Sequence, residues 1–271
     1  MVFDGLQADT GMYLRDLLGD EAFAKRQKKR DPNRESLALR RLSRLFAEAP
    51  ELVLQELVNT AVTDCGADSA GISLEEQQNG TFRWIAVAGS FAPYLNGRTE
   101  RNYSPCGTCL DSGRAQLYQV TKPFYDHLGV TAEPIIDGML IPWKNEFLSG
   151  TLWAVSHSSP EAFCPEDYQL LSSLADFASI IVRHQHQQEL LRKSEKARAE
   201  AEMANKLAHS INNPLQSLTN TLFLAQRSED PGEYLEQAES DLAALSKQVA
   251  GLLSESLNLH PRSAVPTEKV Q

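Results

Sequence analysis

The sequence predicts an α+β domain, an antiparallel sheet with flanking helices, followed by a long helix and an α-helical hairpin. Three observations predict it. Short runs rich in Val, Ile, Phe and Trp, each bounded by turn residues, fill the middle of the chain. Helical periodicities precede them. The C-terminal third then carries apolar and small residues spaced alternately by four and three without a break, the period of a coiled-coil seam. With 271 residues, 42% of them apolar and 23% charged, the chain has enough apolar content for a core.

The first 35 residues read as a weakly ordered N-terminal arm. Met12 to Phe23 has the pattern of a short amphipathic helix. Lys25, Arg26, Lys28, Lys29, Arg30 and Arg34 then form a basic run, which reads as a solvated tail. From Glu35, Leu37, Leu39, Leu42, Leu45 and Phe46 recur at helical spacing. Pro50 opens a second helix carrying Leu52, Leu54, Leu57, Val58 and Val62, and Gly66 ends it.

Strands are expected at Asp68–Leu74, Phe82–Val87, Gln116–Val120, Ile135–Trp143 and Leu148–Ser156. Asn79-Gly80 joins the first two as a hairpin, and Asn145-Glu146 suggests an antiparallel pairing of the last two. The intervening segment from Phe91 to Arg114 is long enough to be functional or to hold small helices. Pro165 reads as a first-turn position, with Glu166 and Asp167 supplying negative charge to a helix start. Leu170, Leu174, Phe177 and Ile181 continue that helix as one apolar stripe.

The heptad run takes in Leu190, Ser194, Ala197, Ala201, Ala204, Ala208, Ile211, Leu215, Leu218, Leu222 and Ala225. Its phase differs from that of the preceding stripe, so the register changes around His184–Glu189. Asp230-Pro231-Gly232 marks a turn. A second run follows through Leu235, Ala238, Leu242, Leu245, Val249, Leu252 and Ser256, and the last residues read as a tail. Two amphipathic helices joined by a short turn cannot cover wide seams on each other alone. Pairing two hairpins as a four-helix bundle closes both, so a homodimer is expected; the other reading folds the long helix back on the α+β domain.

Composition narrows the function classes. Lys and Arg number 26 against 36 Asp and Glu, a net charge of −10 that argues against nucleic-acid binding. No stretch approaches the roughly 18 apolar residues of a membrane span, and four cysteines are too few for a disulfide scaffold. A cytoplasmic protein without membrane attachment is expected. No nucleophile–base pair or phosphate-cradling glycine loop stands out, so an enzyme acting on a soluble substrate is disfavoured.

The segment Leu207-Ala208-His209-Ser210-Ile211-Asn212-Asn213-Pro214-Leu215 departs from this bland picture. Pro214 lies inside the heptad run, where it removes the hydrogen bond to the carbonyl of Ser210 and kinks the helix, at a cost of about 3 kcal/mol. His209 lies beside a seam position, so its imidazole is expected on the flank of the bundle. An exposed imidazole is a competent nucleophile towards phosphorus.

Residues His209 to Leu215 resemble the H-box of two-component sensor histidine kinases. That resemblance implies that His209 is the phosphoacceptor on the first helix of a dimerising HisKA-type domain, and that Asn213 assists phosphatase chemistry. Two departures matter. The family usually has an acidic residue directly after the histidine as a base, and here Ser210 stands there. Too few residues follow Ser256 for the family's ATP-binding domain, so this chain alone is not expected to phosphorylate itself from ATP.

The middle region resembles a GAF domain. The resemblance rests on Ser104-Pro105-Cys106-Gly107-Thr108, on Asp111-Ser112-Gly113-Arg114-Ala115-Gln116-Leu117, on Gly150-Thr151-Leu152-Trp153-Ala154-Val155-Ser156-His157, and on the helix from Glu166 to Ile181. It implies a six-stranded sheet that binds an unknown small molecule under covering loops, or a purely dimerising module. Cys106 and His157 are the candidate residues of that pocket. Cys106-Gly107-Thr108-Cys109 has too few partners for zinc and reads as packed thiols rather than a redox pair. The Cys-His setting for a covalent bilin is missing, and no cofactor is expected. Cys164 before Pro165 reads as a helix start.

The organisation expected is therefore an arm over 1–35, a GAF sensor over 36–183, a coiled-coil linker over 184–206, a HisKA-like hairpin over 207–257 and a tail over 258–271. The leading function is two-component signalling. His209 would exchange phosphate with a response regulator or a separate histidine kinase, or the chain would act as an adaptor. The alternative is a non-catalytic dimeric ligand-binding regulator in which His209 is a relic, and a third reading is a piece of a longer kinase.

Overall fold

The computed structural model describes residues 10–259, with side chains to residue 251. The described residues form two compact units, divided between Glu189 and Leu190. Expectations for residues 1–9 and 260–271 lie outside the described residues.

The first unit runs β1 (Met12–Asp16), α1 (Glu21–Ala24), α2 (Arg34–Glu48), a 3₁₀ turn (Pro50–Leu52), α3 (Val53–Cys65), β2 (Ser69–Glu76) and β3 (Thr81–Gly89). A 3₁₀ turn (Ala92–Tyr94), β4 (Arg98–Glu100) and another 3₁₀ turn (Arg101–Tyr103) lead to α4 (Pro105–Ser112). Then come β5 (Gln116–Val120), α5 (Lys122–Leu128), β6 (Ile135–Lys144), β7 (Ser149–Ser156) and α6, which begins at Pro165. The sheet is antiparallel in the order β1-β5-β6-β7-β2-β3-β4. Both expected hairpins form, with Gly80 at φ +61° in the β2–β3 turn.

Sheet alternation sorts side chains onto two faces. On one, Ala70, Ile72, Met139, Ile141, Leu152 and Ala154 meet Leu42, Leu57, Leu170, Leu174 and Ile181 of α2, α3 and α6. On the other, Phe82, Tyr118, Leu140, Trp153 and Val155 pack with Cys106 and Cys109 of α4 and with Phe124 and Tyr125 of α5. β7 is buried along its whole length, as a strand covered on both faces must be.

Two expectations for the N-terminal residues are corrected. Met12 to Phe23 is not a helix: Met12–Asp16 pairs with β5 as a seventh strand, and only Glu21–Ala24 is helical. The basic run is not a solvated tail either. Arg26 Nη1 meets Asp137 Oδ2 at 2.8 Å, and Arg30 Nη2 donates to Asp167 Oδ2 at 3.0 Å. Arg34 Nη1 lies 2.7 Å from Asp167 Oδ1, a charge contact without hydrogen-bond alignment. Lys28 and Lys29 between them do stay exposed.

α6 starts as the charge pattern expects. Pro165 occupies the first turn, and Asp167 accepts from the amide of Cys164 at 3.1 Å, one half of a capping box. The helix continues to Ala225, through Pro214.

In the second unit, α6 and α7 (Gly232–Leu259) form a helical hairpin linked across the pair by Ser217 Oγ donating to Asp241 Oδ2 at 3.2 Å. Residues 190–206 are exposed on every side, with Lys196–Glu200 and Lys206–Glu202 pairs along the surface. Among the described residues no helix is long and apolar enough to cross a membrane.

Candidate functional site

The second face of the sheet encloses a cavity of about 200 Å³. Strands, a turn and two helices build it. β3 and β7 supply Trp84 and Trp153, β4 supplies Arg98 and Thr99, and β5 supplies Tyr118. The turn after β3 supplies Phe91 and Tyr94, α4 brings Cys106, and α5 brings Phe124 and Tyr125.

The aromatic wall is a connected cluster. Trp84 and Trp153 have centroids 5.2 Å apart, and Phe91 lies 6.1 Å from each. Trp84 and Phe91 stack at 24° while the other two pairs are tilted or edge-on, arrangements that suit ring quadrupoles. Trp153 is held in place by two local features. Its Nε1 donates to Ser73 Oγ at 3.1 Å, and Gly71 lies opposite it on β2. A Cβ on Gly71 would stand 2.2 Å from the indole, so only glycine lets the ring lie flat on the strand.

Cys106 sits beneath the start of α4, where Ser104 caps the helix by accepting from its amide at 3.2 Å. Gly107 is required there, because a Cβ would come within 2.0 Å of the Arg101 carbonyl oxygen. This close approach gives Ser104-Pro105-Cys106-Gly107 a physical role: it lays the first turn of α4 against the preceding turn. Thr151 Oγ1 donates to Cys106 Sγ at 3.1 Å, and the thiol donates to Ser73 Oγ at 3.6 Å. Burial pushes the Cys106 thiol up, against the pull of those hydroxyls, and it pushes Cys109 up as well. Both remain packed thiols, and all four cysteines are free. Among the described residues no cluster of three His, Cys, Asp or Glu converges.

His157 stands behind the cavity wall rather than in it. Its ring lies 4.8 Å from Phe91, and Nδ1 donates to the Pro134 carbonyl at 3.0 Å. Its amide donates to Asp68 Oδ2 at 2.7 Å. Burial would raise the Asp68 carboxyl, but this amide and the hydroxyls of Ser156 and Ser158 hold it below the ordinary range. Of the two sequence-derived pocket residues, Cys106 lines the cavity and His157 buttresses Phe91.

The polar lining was not foreseen. Arg98 is the charged lining residue, and one edge of its guanidinium is engaged by Glu76, Nε to Oε2 at 2.9 Å and Nη2 to Oε1 at 3.4 Å. Thr99 Oγ1 and the Tyr125 hydroxyl are buried without a hydrogen-bond partner. Burial pushes the Tyr125 and Tyr118 hydroxyls far up, so both stay neutral donors. The alternation in Leu152-Trp153-Ala154-Val155 carried a signal that Trp153 faces away from the helices. Nothing in the local sequence marked Thr99 or Tyr125.

The second candidate site lies on α6. His209 and Asn213 are exposed, and Ser210 Oγ donates to its own helix at the Leu207 carbonyl, 2.9 Å away. That bond is a local back-bond of the kind serine makes inside helices.

A family model for the GAF domain matches residues 49–182. Three solved GAF structures illustrate the similarity. The GAF domain of a phosphoenolpyruvate-protein phosphotransferase from Coxiella burnetii is 16% identical, with 58% of this chain and 97% of that chain covered and a TM-score of 0.48. The second GAF domain of DevS from Mycobacterium smegmatis is 18% identical, covering 52% and 99%, with a TM-score of 0.42. The phycoerythrobilin-bound GAF domain of a cyanobacterial phytochrome is 10% identical, covering 58% and 98%, with a TM-score of 0.44. No curated protein matches the chain. Residues 49–182, a curled antiparallel sheet between helices with a cavity on its outer face, are a GAF domain, a module for sensing signals.

Proposed function

We propose that the chain is a signalling protein of two-component type. Its GAF domain senses a small molecule in the aromatic cavity, and its α6–α7 hairpin is a HisKA-like dimerisation module with His209 as phosphoacceptor. The observation that carries this reading is how the heptad seam divides. Ala225, Ala238 and Leu245 are buried within one hairpin. Leu215, Leu222 and Leu242, on the same seams, remain 42%, 41% and 55% exposed. Most of the first seam and part of the second thus lack cover in a single chain, and a second copy would supply it with the same sequence in the symmetric arrangement of a four-helix bundle.

Ligand binding would repack the GAF domain and bias α6 where its stripe changes register, at His184–Glu189. Packed helices shift between discrete arrangements rather than bending continuously. The output is the presentation of His209, which exchanges phosphate with a response regulator or a separate histidine kinase. Incubating the full chain with a phosphorylated response regulator or a cognate kinase tests it. Acid-labile phosphate, lost in His209→Ala, is expected.

One observation favours a second reading, a non-catalytic dimeric regulator. The Ser210 hydroxyl donates to Leu207 and offers no base beside His209. A dimer that responds to ligand yet takes no label at His209 would decide for that reading.

A further inference from the structure

We propose that the GAF cavity takes an uncharged, planar aromatic molecule of one or two rings that bears a hydroxyl or similar hydrogen-bonding group. The proposal rests on the sensor reading of the cavity and names the class of its ligand.

Size and shape come first. An apolar cavity on the order of 150 Å³ admits a benzene ring, so about 200 Å³ holds one or two fused rings. Trp84, Phe91 and Trp153 offer ring faces and edges at mutual tilts of 24° to 64°, a surface against which a flat ligand packs offset or edge-on.

Charge is the second criterion. Arg98 gives Nε and Nη2 to Glu76, which Arg83 also holds at 2.8 Å. Burial keeps the lining phenols of Tyr118 and Tyr125 and the Cys106 thiol protonated. A cationic ligand would therefore meet no carboxylate in the lining, and an anionic one only an Arg98 whose Nε and Nη2 Glu76 already holds.

The third observation is the pair of orphans, Thr99 Oγ1 on β4 and the Tyr125 hydroxyl on α5. Buried polar atoms in folded proteins are hydrogen-bonded in the great majority of cases. Each hydroxyl can both donate and accept. A ligand bearing a hydroxyl or comparable group can partner them, and a pure hydrocarbon cannot.

Calorimetric titration of the full chain with naphthalene, 2-naphthol, 2-naphthoate and cyclic GMP tests the proposal, with emission from Trp84 and Trp153 as a second readout. We expect 2-naphthol to bind at least tenfold more tightly than the other three. Thr99→Val and Tyr125→Phe together should lower its affinity about tenfold while leaving naphthalene unchanged. If that pair does not fold, the ranking of the four probes on the native chain decides alone. Equal affinity for naphthol and naphthalene, or no effect of the pair, overturns the polar contact. Tighter binding of 2-naphthoate or cyclic GMP overturns the ligand class and leaves the sensor reading standing. Silence to all four probes in both readouts overturns the two together.

Discussion

Arg26 Nη1 lies 2.8 Å from Asp137 Oδ2, although 111 residues separate them in the chain. Both side chains are nearly buried. With Arg30 and Arg34 on Asp167, this pair fastens residues 26–34 to β6 and to the first turn of α6. Arg30 also donates to the Cys65 carbonyl and Arg34 to that of Asp64, so the end of α3 is tied in as well. The segment ahead of α2 is a structural strap.

Breaking one partner of a buried pair leaves the other charge uncompensated, which costs about 3–5 kcal/mol. Asp167→Asn is therefore expected to destabilise the protein by about that amount in urea unfolding. Lys28→Ala and Lys29→Ala, on exposed residues of the same run, should stay within about 0.5 kcal/mol of the parent.

The same strap has a pH signature. Burial raises the Asp137 carboxyl, and Arg26 opposes that rise. In Arg26→Leu the opposing cation is gone and the folded-state pKa climbs further. An acid with a raised folded-state pKa prefers to be protonated when folded, so its ionisation counts against folding as pH rises past the unfolded value of roughly 4. The stability deficit of Arg26→Leu should grow from roughly pH 4 to pH 7. A deficit that stays flat across that range would show that the ion pair is not its source.

Glu76 behaves in the opposite sense. The hydrogen bond from Arg98, opposed by partial burial and reinforced by Arg83, pulls its carboxyl from 4.5 down to about 2. A depressed acid stabilises the fold fully above its unfolded pKa and loses that contribution as pH falls through the folded one. The parent should therefore lose stability between about pH 4.5 and pH 2, and Glu76→Gln should lose less over the same interval. Parallel acid titrations followed by circular dichroism check the difference.

Gly71→Ala places a methyl 2.2 Å from the Trp153 ring, against which the strand backbone cannot yield cheaply. Overpacking of this kind costs about 1–3 kcal/mol. Here it also displaces one wall of the cavity. We expect a lower melting temperature together with altered tryptophan emission, whereas Gly251→Ala on α7, with open space around its Cβ and no positive φ, should leave the emission unchanged.

Leu222→Glu and Leu242→Glu put charge on exposed positions of the two seams. Each is expected to convert a dimer to a monomer in light scattering at micromolar concentration while the circular dichroism of the sheet persists. A dimer that survives both substitutions would remove the four-helix bundle from the account.

The elements legible in the sequence are those whose signal is local. Gly66 at φ +64° stops α3, Asn79-Gly80 turns β2 into β3, and the heptads define α6 and α7. β1 was hidden because Met-Tyr-Leu-Arg-Asp carries no β-branched residue; it is a strand because β5 offers it an edge. β4 was hidden because Arg98-Thr99-Glu100 is too short to show an alternation. In the cavity Cys106 was legible from its motif. Thr99 and Tyr125 were not, because a hydroxyl becomes an orphan only through what surrounds it.

The sequence by itself determined the helices, the strand hairpins, the change from α+β to coiled-coil texture, and the placing of His209 beside a seam. Each of these depends on residues within a turn or two of one another. Only the tertiary structure decided that Arg26, Arg30 and Arg34 are fasteners while Lys28 and Lys29 are solvated, since the carboxylates they hold lie more than a hundred residues away. It alone decided the cavity too, because a hollow walled from β3, β4, β5, β7, α4 and α5 exists only once those elements have met.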